Sequence, residues 1–337
     1  MSNMNHEALL RVLADGQVHS GVSLGQMLGV SRAAVWKNLN TLQELYGVRV
    51  NAAHSKGYHL ERSIELLDKE HILTMVSRDV PGHLLVQLDV HFLLDSTNTY
   101  LLERLHDGPA DLTSVCIAEY QSSGRGRRGR KWVAEFGSQI CFSVRKRFLS
   151  GFASLQGLSL AVGVMIAECL KSHFSLPASL KWPNDIHFEG KKLAGILIEL
   201  SGEHSGPVDV VVGVGFNFDL SDAEKEQIDQ DAVSLKELTS RNVSRNDLAG
   251  YLVTSLIVGL EKFERTGFQG FMTAWTEADC LQGKVVEVRG NNRLEGGPFT
   301  YKGVAVNGNA LLHNAQGIHE LAGGELSLRV SNGLSAN

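Results

Sequence analysis

Val35, Leu39, Leu42 and Tyr46 recur at spacings of four, three and four residues, which aligns them on one face of a helix. Ser31 stands just before that run, where its hydroxyl can cap the first turn. Arg32, Ala33, Trp36, Lys37 and Asn40 fall largely on the opposite face. Upstream, Ser20-Gly21 opens a shorter amphipathic segment with Leu24, Met27 and Leu28 directed inward, and Gly29 ends it. A short helix, a glycine turn and a longer helix with a basic polar face form a helix-turn-helix pattern. Val48-Arg49-Val50 and Lys56-Gly57-Tyr58 can then supply the two strands of a wing. The same pattern also describes a helical cap with solvated charges. Small residues at 33 and 34, which allow close approach, and Arg32 at the helix start favour a DNA-reading helix.

From residue 66 the pattern becomes mixed. Apolar, strand-like stretches cover 88–94, 114–120, 139–145, 192–199 and 208–216, and long helical stretches cover 152–173 and 245–266. In the second helix Ser244 precedes Asp247 by three residues, the apolar stripe runs Leu252, Leu256, Leu260, Phe263, and Gly267 ends it. Strands and helices do not alternate strictly, so an α+β arrangement around a mixed sheet is expected. Beyond 278 the chain changes again. Short strands at 284–289, 299–306, 310–313, 317–320 and 326–330, separated by Asn/Gly turns, predict a small SH3-like β-barrel. The reading is therefore α+β and multidomain: a winged helix-turn-helix over 1–64, a central mixed-sheet α/β domain over 65–275 and a C-terminal SH3-like β-barrel over 276–337.

Charge sharpens this picture. The 337 residues carry a formal net charge of -5, yet residues 1–62 hold six Lys/Arg against four Asp/Glu. Contact with nucleic acid must therefore be local, not chain-wide. Cys116, Cys141, Cys169 and Cys280 lie far apart with no Cys-x-x-Cys pair, which suits buried reduced thiols and a cytoplasmic protein. Neither a signal pattern nor an uninterrupted apolar run of membrane-spanning length is present, so no membrane partner is expected.

The densest chemistry is Gly124-Arg125-Gly126-Arg127-Arg128-Gly129-Arg130-Lys131-Trp132. Glycines let backbone N–H groups approach an anion, and arginines offer forked donors to phosphate or carboxylate. It is neither a Walker A loop nor a dinucleotide fingerprint. Following a strand that ends in Glu119-Tyr120-Gln121, it is expected to project from a sheet edge. Taken alone the run also describes a nucleic-acid arm. Its place inside a folded domain, and the polar motifs accompanying it, favour an anion site. Those motifs are Asp95-Ser96-Thr97-Asn98, a cluster of short hydrogen-bonding groups; Lys181-Trp182-Pro183-Asn184-Asp185, a bend that can turn its lysine and aspartate toward one ligand; and Lys192 ahead of Ala194-Gly195, a small pair that leaves room beside a strand running to Glu199.

In chain order, Asp95–Asn98, Gly124–Trp132, Lys181–Asp185 and Lys192–Glu199 resemble the signature of biotin protein ligases, the Arg/Gly run being the most specific. With the winged helix-turn-helix before them, the chain is similar to the bacterial bifunctional class that also represses the biotin operon. The resemblance spans essentially the whole chain and is weakest over 219–243, where adenine contacts would fall. It implies that biotin and ATP, with Mg²⁺, give biotinyl-5′-AMP, and that a lysine of the biotin carboxyl carrier protein of acetyl-CoA carboxylase then expels AMP. It also implies that biotinyl-5′-AMP is the corepressor and that operator DNA is bound by a homodimer. By the same resemblance Lys192 and Arg127 are catalytic, with Asp185 and Lys181 beside them. Ser96, Thr97, Asn98, Gln121, Arg125, Gly126, Arg127, Arg128, Arg130, Trp132 and Lys192 hold ligand, and no protein set of metal ligands is assigned. Ser31, Arg32, Ala33, Trp36, Lys37, Asn40 and Lys56 are the DNA-contact candidates. Two rivals stay open at this point: a ligand-responsive repressor without transfer activity, and a purely nucleic-acid-binding protein.

Overall fold

The computed structural model describes residues 3–53, 56–202, 205–290, 298–323 and 326–331. At its N-terminal end lie α1 (Asn3–Leu13), α2 (Gly21–Leu28) and α3 (Arg32–Tyr46). The Ser20 hydroxyl accepts the Ser23 amide and that of Ser31 accepts the Ala34 amide, so each serine starts a helix. Both helices stop at a glycine in the left-handed region, Gly29 (φ 64°) and Gly47 (φ 70°). The wing is the antiparallel pair β1 (Val50–Ala53) and β2 (Gly57–Leu60); its tip, residues 54–55, lies outside the described residues. Leu9, Leu10, Leu13, Leu24, Val35, Leu39, Leu42 and Tyr46 are buried together, joined by Phe136 from far along the chain. One expectation fails: Met27 is 58% exposed, because the eight-residue α2 turns only Gly21, Leu24 and Gly25 fully inward.

The central unit contains α4 (Lys69–Asp79), β3 (Val86–Leu94), α5 (Thr97–Leu102), β4 (Thr113–Gln121), β5 (Gln139–Phe148), α6 (Leu158–Phe174), β6 (Ser179–Lys181), β7 (Asp185–Phe188), β8 (Lys191–Gly202), β9 (Val208–Asn217), α7 (Asp222–Gln227), α8 (Leu235–Leu238), α9 (Arg245–Thr266) and α10 (Met272–Ala278). Its strands form one seven-stranded sheet, β3-β4-β5-β9-β8-β7-β6, in which only β3 and β4 run parallel. The sheet is mixed, as expected, but β4 is paired on both sides, with β3 and β5. The Arg/Gly loop thus leaves the end of an internal strand, not a sheet edge.

Period-two alternation divides the sheet's faces. Val210, Val212 and Val214 of β9, and Ile140, Phe142 and Val144 of β5, enter the core with α6 and α9. Gly213 and Gly215 of β9, and Gln139, Cys141 and Ser143 of β5, turn to the other face, against α5 and the cleft described below. The helix expected over 152–173 is broken: Gly157 (φ 75°) separates a 3₁₀ turn, Phe152–Leu155, from α6. A side chain at Gly157 would collide with Phe268.

The C-terminal unit is an antiparallel five-stranded sheet, β13-β12-β11-β10-β14, built from β10 (Val285–Arg289), β11 (Phe299–Val304), β12 (Ala310–Asn314), β13 (Gly317–Leu321) and β14 (Ser327–Val330). Val286, Phe299, Tyr301, Leu312 and Leu328 pack into the same hydrophobic core as α6, α9 and α10.

Candidate active site

A cleft of about 440 Å³ opens where the ends of β4, β5, β8 and β9 meet the Arg/Gly loop, the β6–β7 turn, residues 227–230 with Ala232, and β14. Eight Lys/Arg side chains line it (Arg125, Arg127, Arg128, Arg130, Lys131, Lys181, Lys192 and Arg329) against two carboxylates, Asp185 and Asp229. In a chain of net charge -5 this is a concentrated positive site, suited to an anionic ligand.

The floor is made by glycines. Gly195 and Gly215 lie directly opposite each other across β8 and β9. The Trp132 indole rests on them, and a Cβ on Gly195 would come within 2.9 Å of its ring while one on Gly215 would overlap it. The room foreseen at Gly195 is therefore taken by Trp132. The ring is fixed by its N–H, which donates to Gln139 Oε1 at 2.5 Å, and Lys192 Nζ stands 5.3 Å from its centroid.

At one end are uncharged groups. Ser96 caps α5, and Thr97 N–H donates to Gln121 Oε1 at 2.7 Å. The Ser143 hydroxyl lies 2.7 Å from Thr97 Oγ1 and 2.5 Å from Asn98 Oδ1, and Asn98 Nδ2 donates to Glu199 at 2.7 Å. Asn98 also sits tight on Gly213, where a Cβ would overlap its amide. At the other end Lys192 Nζ pairs with Asp185 Oδ1 at 2.8 Å. Lys181 lies opposite Asp185 across the β6–β7 pair, so the bend brings both to one cleft. Burial alone would raise the Asp185 carboxyl, but Lys192 and a hydrogen bond from His187 outweigh it and hold the group well below the usual carboxylate range.

The loop itself is a narrow hairpin: Trp132 N–H donates to the Gly124 carbonyl at 2.9 Å and Gly126 N–H to that of Arg130 at 2.7 Å. Arg128 takes a left-handed conformation (φ 62°) at its tip. Arg127 turns inward, donating to Asn184 Oδ1 at 3.0 Å and to the Gly323 and Leu326 carbonyls of the C-terminal unit at 2.6 and 3.2 Å. Burial lowers the pKa of its guanidinium, opposed by Asp185. Arg125 bridges Thr99 and Glu199, and Arg130 stands 4.0 Å from Asp229 at the rim. The Cys141 thiol, behind Gln139, is pushed up to about 12 by burial, which disfavours its thiolate.

Every cleft residue expected from the sequence lines this one space. Gln139, Asn217 and Arg329 also line it and were not foreseen, and Ser143 lies buried behind Thr97 and Asn98. Alternation along β5 could have shown Ser143 sharing a face with Gln139. Arg329 carries no local signal, because the C-terminal unit brings it in. Residues 227–230 and Ala232 line the cleft next to Lys192, whose amide donates to the Asp231 carbonyl at 2.8 Å. On the distant N-terminal unit Ser31, Arg32, Ala33, Lys37 and Lys56 are exposed, Trp36 is 56% exposed, and Asn40 is half-buried.

Residues 90–217 match the biotin/lipoate A/B protein ligase family and residues 5–59 match an HTH domain. The bifunctional ligase/repressor BirA of Escherichia coli (strain K12) is 38% identical over 95% of this chain and 96% of its own length. The protein of the same name from Bacillus subtilis (strain 168) is 26% identical over 94% and 95%. The solved structure of biotin protein ligase from Aquifex aeolicus in complex with biotin and ATP is similar with a TM-score of 0.61 at 31% identity, covering 73% of this chain and 99% of that one.

Proposed function

The chain belongs to the family of bifunctional biotin ligase/repressors, and from that premise we propose how its residues divide the work. It is an ATP-dependent biotin–protein ligase that passes through biotinyl-5′-AMP, and a DNA-binding repressor. Residues 1–64 bind DNA, 65–275 carry the chemistry and 276–337 close the cleft. The observation supporting this division is the convergence of the polar end, the Arg/Gly loop and the Lys192–Asp185 pair on one positive cleft.

Ser96, Thr97, Asn98 and Gln121 hold the uncharged ureido end of biotin, with Ser143 fixing Thr97 and Asn98 from behind. Its carboxylate then lies toward Lys192, and adenine lies along 227–232. In the first step a biotin carboxylate oxygen attacks the α-phosphorus of ATP; a C–O–P linkage forms, the Pα–O bond to the β-phosphate breaks, and pyrophosphate leaves. Two anions must meet for this to happen. Lys192, Arg125, Arg127, Arg128, Arg130 and Lys181 neutralise them and are already oriented before reaction. Asp185 holds the Lys192 ammonium in place through its 2.8 Å pairing. In the second step an acceptor lysine amine attacks the mixed-anhydride carbonyl, and AMP leaves with its electron pair. Mg²⁺ arriving with ATP needs few protein carboxylates, and Asp185 and Asp229 are the ones lining this cleft; bound there it would offset polyphosphate charge.

The acceptor is a lysine of the biotin carboxyl carrier protein of acetyl-CoA carboxylase. Repression uses a homodimer, since one winged helix reads one half-site. The four cysteines are free, as suits a cytoplasmic protein.

Transfer of labelled biotin to a purified acceptor domain, with and without ATP and Mg²⁺, tests the reading. ATP-dependent labelling that falls about 10²–10³-fold in Lys192→Ala and is lost in Arg127→Ala is expected. Biotin binding without any transfer would favour a ligand-responsive repressor instead.

A further inference from the structure

Gln139 touches none of the reacting groups placed above, yet its side-chain amide is committed at both ends. Its Oε1 accepts the Trp132 indole N–H at 2.5 Å and its Nε2 donates to the Val133 carbonyl at 2.8 Å. The residue is 2% exposed. Its main chain is equally constrained: Gln139 pairs with Asn217 on β9, and its carbonyl accepts the buried Arg245 Nη2 at 2.7 Å.

We propose that Gln139 is a positioning residue for the ligase reaction, holding the Trp132 indole flat on the Gly195–Gly215 floor so that the indole in turn sets where Lys192 presents its ammonium. The proposal rests on the ligase reading of the cleft. A floor of two facing glycines gives the ring clearance but no lateral wall. Its orientation must come from elsewhere, and an indole N–H, being a donor only, can be fixed by one well-placed acceptor. Gln139 is that acceptor. Above the ring, Lys192 Nζ has two fixed references, the indole at 5.3 Å and Asp185 at 2.8 Å. Its Cε lies 3.1 Å from where a Cβ on Gly195 would stand, so the stem shares the indole's floor. Tipping the ring therefore moves one of the two references and leaves the ammonium less well aimed while ligand can still bind.

The test is steady-state transfer kinetics of the full chain with Gln139→Leu, which keeps the volume and removes both hydrogen bonds. The result expected is a fall in kcat of about tenfold with the KM for biotin changed less than about twofold. In a Trp132→Phe background the same substitution is expected to cost less than about twofold, because no N–H remains to be held. The Trp132 emission, obtained as the difference from Trp132→Phe protein, is expected to respond less to biotin plus ATP. An unchanged kcat in Gln139→Leu overturns the proposal, and so does an equal loss in both backgrounds, which would mark a purely structural role. If Gln139→Leu does not fold, Trp132→Phe decides: it keeps a ring on the floor but removes the N–H that Gln139 holds, so a fall in kcat of about tenfold with KM for biotin little changed is expected, and an unchanged kcat overturns the proposal. Wild-type protein that transfers no biotin would sink the ligase reading, leaving the emission comparison to decide Gln139 alone.

Discussion

The three N-terminal helices and their wing bury apolar residues mostly against one another, whereas the C-terminal sheet buries Val286, Phe299, Tyr301, Leu312 and Leu328 in the core of the central unit. The contacts at the two borders differ in kind as well. At the C-terminal border Trp182 Nε1 donates to the Gly308 carbonyl at 3.1 Å and Arg127 grips the Gly323 and Leu326 carbonyls beside the cleft. At the N-terminal border Arg62 faces Asp219, Glu135 and Glu224 at 3.3, 3.8 and 3.9 Å. Tyr120 donates to the Leu45 carbonyl at 3.0 Å. Two appendages of similar size thus stand in different relations to the catalytic unit: one shares its core and completes the cleft, the other keeps a core of its own, joined through polar contacts and the inserted Phe136.

The largest expected effect separates them by stability. Phe299→Ala should cost about 3–5 kcal/mol and lower the main calorimetric transition together with ligation. Leu39→Ala should cost about 2–5 kcal/mol, yet lower only an earlier transition and DNA binding, with transfer activity intact at 25 °C. A single transition shifted equally by both variants would abolish the distinction. Next in size, Arg32→Ala should weaken operator binding by about tenfold or more. Lys37→Ala should instead reduce the salt slope of binding by about one. Ligation should be unchanged in both, and its loss in either would mean that the two ends are not separable.

The smallest effect sharpens the polar joint. Burial, and then the neighbouring Glu224, raise the Glu135 carboxyl above its ordinary value, against the pull of Arg62. A carboxyl raised on folding contributes fully below its unfolded pKa, and that contribution is lost as pH rises through the folded value. Glu135→Gln should therefore raise the earlier transition by about 2 °C at pH 7 and leave it unchanged at pH 4, where the wild-type group is largely protonated. An equal shift at both pH values would show that charge at Glu135 is not what strains the joint.

Local rules carried most of the architecture. The Val35-Leu39-Leu42-Tyr46 stripe, the Ser31 cap and Gly29 are all short-range features and appear as read. Met27 misled because a two-turn helix ending at Gly29 has too little length to bury a full stripe. The Gly157 break was hidden inside an apolar run: its left-handed φ of 75° and the distant Phe268 that leaves no room there for a side chain carry no local signal beyond the glycine itself. In the cleft, the legible residues sit in loops and strand ends whose composition is itself unusual. Ser143 and Gln139 look like ordinary strand residues, and only the pairing of β5 with β9 and β4 turns Gln139 to the cleft and sets Ser143 behind Thr97 and Asn98. Arg329 is more remote still, delivered by a strand that pairs with β10.

Phe136 belongs to the catalytic unit by its place in the chain but is sealed at 1% exposure within the DNA-binding core, its amide donating to the Tyr46 carbonyl at 2.9 Å. For anyone grafting this molecule, the seam visible in the sequence near residue 64 is not the seam in space. A DNA reader excised there leaves behind a socket with no plug, and the remaining enzyme displays an uncovered benzyl group. A chimera that exchanges the reader should therefore carry the matching residue at 136 along with it.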